Sequence, residues 1–160
     1  MTVKVIPDGY HSVTPYVMVD GAADAIAFYK DVFGATELFR MPDAKGRIAH
    51  SEIRIGDSVV MLADSNAGTT CSSPRSLGGS SVGLMIYLEN VDTVFARAIK
   101  AGSKSLRPVT NQFYGDRSGT LEDPFGHVWT VATHVEDVAP DELEWRAQAA
   151  MKKPAGDHAA

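Results

Sequence analysis

Apolar residues return every three or four positions over residues 22–33, where Ala22, Ile26, Tyr29 and Phe33 make one stripe. That spacing predicts a helix, and Gly34 supplies its left-handed C-terminal cap. The flanking stretches alternate instead. Residues 13–20 and 37–41 read as strands, and 49–64 as a hairpin folded at Gly56-Asp57. The same order then returns as strand 84–89, helix 91–101 with Gly102, strand 105–109, and hairpin 117–134 folded at Asp123-Pro124-Phe125-Gly126. In the second helix Val91, Val94, Phe95 and Ala98 form the stripe. Slid by about 70 residues, Val19 falls on Leu88, Ile26 on Phe95 and Gly56 on Gly126. Two copies are too few for an array, so the pattern is a duplicated βαβββ half-domain. Two curved sheets built this way can leave a cleft between them, where function is expected.

The turns and joints follow from local chemistry. Gly at the first central position of 55–58 suits a type II′ hairpin turn. In Asp123-Pro124-Phe125-Gly126, Pro pre-sets the second position and Gly ends the turn. Residues 65–82 are rich in Ser, Thr and Gly and read as a mobile linker between module one (about 13–64) and module two (about 83–135). Both modules fall within a single domain, 8–137. Pro140-Asp141-Glu142 opens a C-terminal helix within 138–152, with acidic residues in its first turn. Residues 153–160 are expected to be a disordered tail. The fold class is therefore α+β, two βαβββ modules plus a C-terminal helix.

Composition narrows the field. At 160 residues there is room for one well-buried core but not for two ordinary independent domains. Apolar residues make up 44%, and no window approaches a membrane span. The start of the chain lacks the pattern of a signal peptide. The lone Cys71 forms no internal bridge, which fits a reducing cytoplasm. The net charge of −5, with no basic stripe, argues against nucleic acid and permits a neutral or cationic small ligand.

Three stretches carry a family likeness: Tyr16-Val17-Met18-Val19-Asp20 leading into Ala27-Phe28-Tyr29, the run from His50 to Leu62, and Leu121-Glu122-Asp123-Pro124-Phe125-Gly126-His127-Val128-Trp129. With the repeat, they resemble the vicinal oxygen chelate superfamily of glyoxalase I, bleomycin-resistance proteins and ring-cleaving dioxygenases. The resemblance implies an open, barrel-like cleft between paired modules, usually within a homodimer. It does not give the chemistry, because one fold hosts many activities. Metal-using members hold a divalent ion at four cleft-facing positions through His, Gln or Glu. Those positions fall here on Thr14, on Met61 or Leu62, on Gly83 and on Thr130. Thr, Leu and Gly offer no imidazole or carboxylate, and a Met thioether favours soft copper. No metal and no other cofactor is therefore expected.

The remaining polar residues supply candidate ligand contacts. His50 and Glu52 share a strand face with Arg54. They read either as a displaced metal or acid–base pair, or as a solvated face with a Glu52/Arg54 ion pair. Thr14, Tyr16 and Met18 form one face of the first strand, either pocket floor or core. Tyr114 and Asp116 share a face, with Arg117 on the other unless Gly115 bulges. They read as an aromatic wall and charges for a polar ligand, or as structural ion pairing. Thr130 is placed on the cleft side and Trp129 in the core. His127 is expected to pack on Trp129 or cap the hairpin, and His134 to end its strand in solvent. No nucleophile elbow or phosphate-binding glycine loop is present.

These observations predict a cytoplasmic, homodimeric, metal-independent protein that binds or sequesters a small organic ligand in the inter-module cleft. A cationic ligand would suit the acidic chain. The alternative is a lyase or dioxygenase of the same superfamily with a non-standard metal site. Expected ligand contacts are Thr14, Tyr16, His50, Glu52, Tyr114, Asp116, Arg117 and Thr130.

Overall fold

The computed structural model describes residues 3–65 and 71–152. Module one contains β1 (Tyr16–Val19), α1 (Ala22–Phe33), β2 (Thr36–Pro42), β3 (Ile48–Ile55) and β4 (Ser58–Asp64). A short helix, α2 (Pro74–Leu77), precedes module two, which contains β5 (Gly83–Tyr87), α3 (Val91–Lys100), β6 (Lys104–Asn111), β7 (Asp116–Glu122) and β8 (Val128–His134). Helix α4 (Pro140–Lys152) follows. The expected tail 153–160 lies outside the described residues, as do residues 66–70 of the expected linker.

The duplication holds at the level of hydrogen-bond topology. Each module is a four-stranded sheet, ordered β1-β4-β3-β2 and β5-β8-β7-β6, with the first strand parallel to the last and the other neighbours antiparallel. Parallel pairing needs a crossover, which α1 and α3 provide. Gly34 closes α1 in the left-handed region at φ 67°. At the β3–β4 hairpin Gly56 has φ 59°, while Asp57, like every described non-glycine residue, stays at negative φ. That combination is the type II′ geometry the Gly-first turn calls for.

Each sheet has a helix-covered face and an open face. Val17, Ile53 and Leu62 are buried on the covered face of the first sheet, and Leu121, Trp129 and Val131 on that of the second. Alternation sends Tyr16, His50, Glu52 and Met61 to the first open face, and Met85, Tyr87, Thr120 and Thr130 to the second. Among the described residues, no strand of one sheet runs beside a strand of the other. The backbones of the modules approach through α1 against α3, with α2 packed on β1, and side chains of α1 reach Trp129 of β8.

Helix α1 therefore buries more than one stripe. Ala25, Phe28 and Val32 are buried along with the four stripe residues, because the helix is enclosed by its own sheet and by module two. Tyr29 stacks on Phe33 at 5.9 Å between ring centres, and both lie against Trp129 of β8, at 5.5 and 5.0 Å. The core is thus continuous across the duplication.

The segment taken from sequence as linker is partly folded. Ser73 is buried, caps α2 by accepting from Ser76 N, and donates to Asp20 at 2.8 Å. Helix α4 buries no residue fully. Arg146 fastens it by pairing with Glu136 and also pairs within the helix with Glu142. Among the described residues no helix is long and apolar enough to cross a membrane.

Candidate functional site

The Asp123–Gly126 turn locks the modules together. Asp123 Oδ1 accepts from the backbone N–H groups of Phe125 and His127, both at 2.9 Å. Its Oδ2 accepts from Tyr29 Oη at 2.7 Å and Trp129 Nε1 at 2.9 Å. Tyr29 belongs to α1, so this buried carboxylate joins the first module to the second. Burial, with the neighbouring carboxylate, holds the Tyr29 hydroxyl well above its ordinary pKa of 10.0. His127 reaches across too, with Nε2 at 3.0 Å from the Met18 carbonyl oxygen. Its backbone closes the hairpin, as the capping alternative expected, by donating to Asp123 Oδ1 and accepting from Asp123 N, both at 2.9 Å, while a motif-level reading had no signal for a partner 109 residues away.

Beside this lock lies a crevice of about 460 Å³ between β1, α2 and β5. Tyr16 and Met18 come from module one, Pro74 and Leu77 from the connecting helix, and Leu84 and His127 from module two. A second inter-module hollow of about 710 Å³ opens at the β3–β4 hairpin end, between Val13, Val60, Leu84 and Trp129. Thr14 lies in the wall of a third hollow, with Tyr10 and Met61.

Two polar clusters occupy the open faces. On the first sheet Tyr16 Oη lies 3.0 Å from His50 Nδ1, and His50 Nε2 lies 3.2 Å from Glu52 Oε1. The hydroxyl of Tyr10 donates to Glu52 Oε2. These bonds, that from Tyr10 foremost, hold the Glu52 carboxyl below its usual range and push Tyr10 up. Glu52 thus spends its oxygens on Tyr10 and His50 rather than on Arg54. Phe39 and Met41 of β2 lie opposite Glu52 and His50 in register and are about half exposed.

On the second sheet Asp116 is 3% exposed, with Tyr87 Oη donating to one oxygen and His134 Nδ1 on the other, both at 2.8 Å. A cationic ligand finds no open oxygen there. His134 ends β8 with its side chain 51% exposed, as expected, and its Nε2 also meets Asp137 at 3.0 Å. The two carboxylates raise its pKa, Asp116 first. Arg117 turns to the helix side and pairs with Asp92 at the start of α3, so it serves neither Asp116 nor the open face. Tyr114 is partly exposed and packs edge-on against Phe113. Thr130 faces Thr120 at 3.2 Å, with Trp129 buried behind it.

Thr14, Tyr16, His50 and Glu52 are thus gathered on or beside one face, Asp116 and Thr130 on the other, and Arg117 on neither. The expected list missed Tyr10, Tyr87 and His127, whose positions depend on long-range folding. The four positions that would hold an ion carry Thr14, Met61, Gly83 and Thr130. Pairing of Met61 with Tyr16 makes Met61 the cleft-facing residue there, while Leu62 is fully buried on the helix side. Among the described residues no group of three or more His, Cys, Asp or Glu is placed to hold a metal ion. The donor set does not fit a hard or borderline divalent ion.

Comparison with known proteins agrees with this architecture. Residues 9–131 match the Glyoxalase/Bleomycin resistance protein/Dioxygenase superfamily. An uncharacterized protein of Mycobacterium bovis is 38% identical over 147 residues, covering 90% of this chain and 94% of its own. The crystal structure of TioX from Micromonospora sp. ML1 superposes with a TM-score of 0.61 at 23% identity, over 81% of this chain and 100% of that one. The fosfomycin resistance protein FosX from Listeria monocytogenes, solved with manganese(II) and sulfate, gives 0.58 at 14% identity, over 86% and 97%. At these identities the two structures establish a common fold.

Proposed function

This chain belongs to the glyoxalase/bleomycin resistance protein/dioxygenase superfamily, and from that premise we propose that it is a metal-independent protein that binds, and so sequesters, a small organic molecule between its two modules. The supporting observation is the crevice of about 460 Å³ with walls from both modules and the helix that joins them. Its size lies within the roughly 300–1,000 Å³ of small-molecule sites, and its lining is mainly apolar with a few hydroxyls and one imidazole. Metal independence rests on Thr14, Met61, Gly83 and Thr130. The alternative, a lyase or dioxygenase with an unconventional ion, has only the His50–Glu52 pair to draw on.

The same reading makes the working form a homodimer in the cytoplasm. Tyr16, Phe39 and Met41 on one open face, and Met85 and Tyr87 on the other, leave large apolar surface uncovered, and a second copy would cover it. Neither nucleic acid nor membrane is a partner in this reading.

The test is a ligand-observed fragment screen on the wild type and on Ser81→Trp, an exposed position in the crevice wall. Flat apolar fragments should bind the wild type, and the indole should weaken them at least ten-fold. Equal binding to both proteins would move the site elsewhere, and no binding at all would end the proposal.

A further inference from the structure

The open face of the first sheet carries hydrogen bonds with a forced direction. Glu52, held ionised by its neighbours, only accepts, so His50 Nε2 must carry the proton it shares with Oε1. In the neutral imidazole Nδ1 is then a lone pair, and Tyr16 donates to it. With its own proton committed, the Tyr16 oxygen offers incoming molecules only lone pairs. A group that meets it must be a donor.

The fold does not demand this array, and the duplication supplies the control. Tyr16 pairs with Met61 and Met61 with Glu52; in module two the same register is Met85, Thr130 and Thr120. Two residues before Thr120, matching His50, stands Ser118. The second sheet therefore forms with Met, Ser and Thr where the first has Tyr, His and Glu. Nor does burial require the array, since the His50 and Glu52 side chains remain 23% and 17% exposed and Tyr16 is half exposed, within reach of water.

We infer that Tyr16, His50 and Glu52 are a proton relay for a flat ligand bearing a weakly acidic hydroxyl, a phenol or an enol. The inference rests on the small-molecule-binding reading above and names its ligand class. The ligand O–H bond breaks and its proton passes to Tyr16 Oη. The proton of Tyr16 passes to His50 Nδ1, and the imidazolium is balanced by the Glu52 carboxylate. The ligand stays bound as an oxyanion that now accepts from Tyr16, and no other reactant is needed. Tyr16 is the residue that touches the ligand, while His50 receives the proton and Glu52 positions and charges His50. Tyr10 from the N-terminal segment holds the second Glu52 oxygen, and Arg54 is a further charged group on this face. Phe39, with its ring 6.2 Å from His50, and Met41 and Met61 are uncharged and supply a flat apolar wall. Tyr16 is also part of the 460 Å³ crevice wall, so relay and pocket share a residue.

The experiment compares 4-nitrophenol, whose phenolate absorbs in the visible, with its methyl ether 4-nitroanisole, at a pH where the unbound phenol is protonated. Wild type should bind the phenol with the phenolate spectrum and prefer it to the ether at least ten-fold. Glu52→Gln and Tyr16→Phe should each bring that preference close to one and abolish the phenolate band. Should either variant fold poorly, the other carries the same readout. Equal binding of phenol and ether, with the phenol neutral, overturns the relay and leaves the binding reading standing. Retention of the phenolate band in Glu52→Gln overturns it too. Failure of both probes to bind at millimolar concentration overturns the ligand class, while the fragment screen decides the binding reading separately.

Discussion

Asp123 accepts from four donors at once, two from its own turn, one from β8 and one from α1 of the other module. Removing an acceptor in a buried site costs the desolvation of each donor left behind, about 1–3 kcal/mol apiece and not additive. Asp123→Ala is expected to lower unfolding free energy by roughly 3–5 kcal/mol in urea titration. A loss under about 1 kcal/mol would mean that water takes over the carboxylate's bonds. Trp129 is the natural reporter, being 1% exposed, with Trp145 at 64% as a constant background. His134 gives a pH signature. Its pKa is raised, first by Asp116 and then by Asp137, so its contribution is full below about 6.5, the unfolded value, and fades as pH climbs through the higher folded value. His134→Gln should therefore cost more thermal midpoint at pH 5.5 than at pH 8.5, and a cost independent of pH would count against the Asp116–His134–Asp137 chain. At this scale the sequence showed which residues were chemically able but not whom they meet. His50 and Glu52 were legible as one face from alternation, whereas Tyr10 at Glu52 and His127 at Met18 required the chain to close over long distances.

The elements were the most legible part. The period of α1 located it over 22–33, Gly34 marked its end, and both hairpin turns fell where Gly and Pro place them. What local pattern could not tell was that α1 is covered on two sides, since Ala25, Phe28 and Val32 lie off the single stripe. Helix α2 escaped because four residues are too few to show a period, although Ser73-Pro74 is a sound start for a helix. The joint between β7 and α4 yields a further prediction. Gly115 has φ 97°, its carbonyl accepts from Val135 and Glu136, and a Cβ there would stand 2.1 Å from the Glu136 oxygen. Gly115→Ala should lose roughly 2–4 kcal/mol through backbone strain and displacement of this segment. Hydrogen exchange should localise the loosening to residues 113–116 and 135–152, and an unaltered exchange pattern there would show that the segment is not held by Gly115.

For the whole molecule, the duplication announced the architecture before any element was placed, because two matched βαβββ runs admit few arrangements. Less legible was how the halves sit together, since that depends on Tyr29, Phe33 and Trp129 meeting across the repeat. The uncovered apolar residues of both open faces lead us to expect a dimer at micromolar concentration, and sedimentation showing a stable monomer there would refute it. The donor set leads us to expect a thermal midpoint indifferent to chelators. A drop on chelation, with an ion recovered near one per chain, would restore the metalloenzyme alternative.

The carboxylate joint between the modules also bears on descent. A duplicated gene begins with two interchangeable halves, but here one half carries the aromatic helix and the other the carboxylate and indole that answer it. Key and lock now sit on opposite sides of the repeat. Exchanging one half for its counterpart in a distant relative would carry over four sound strands and a helix, yet leave Tyr29 or Asp123 facing a stranger. The two copies have become a single heritable unit, and substitutions at the joint are expected to drift only in concert.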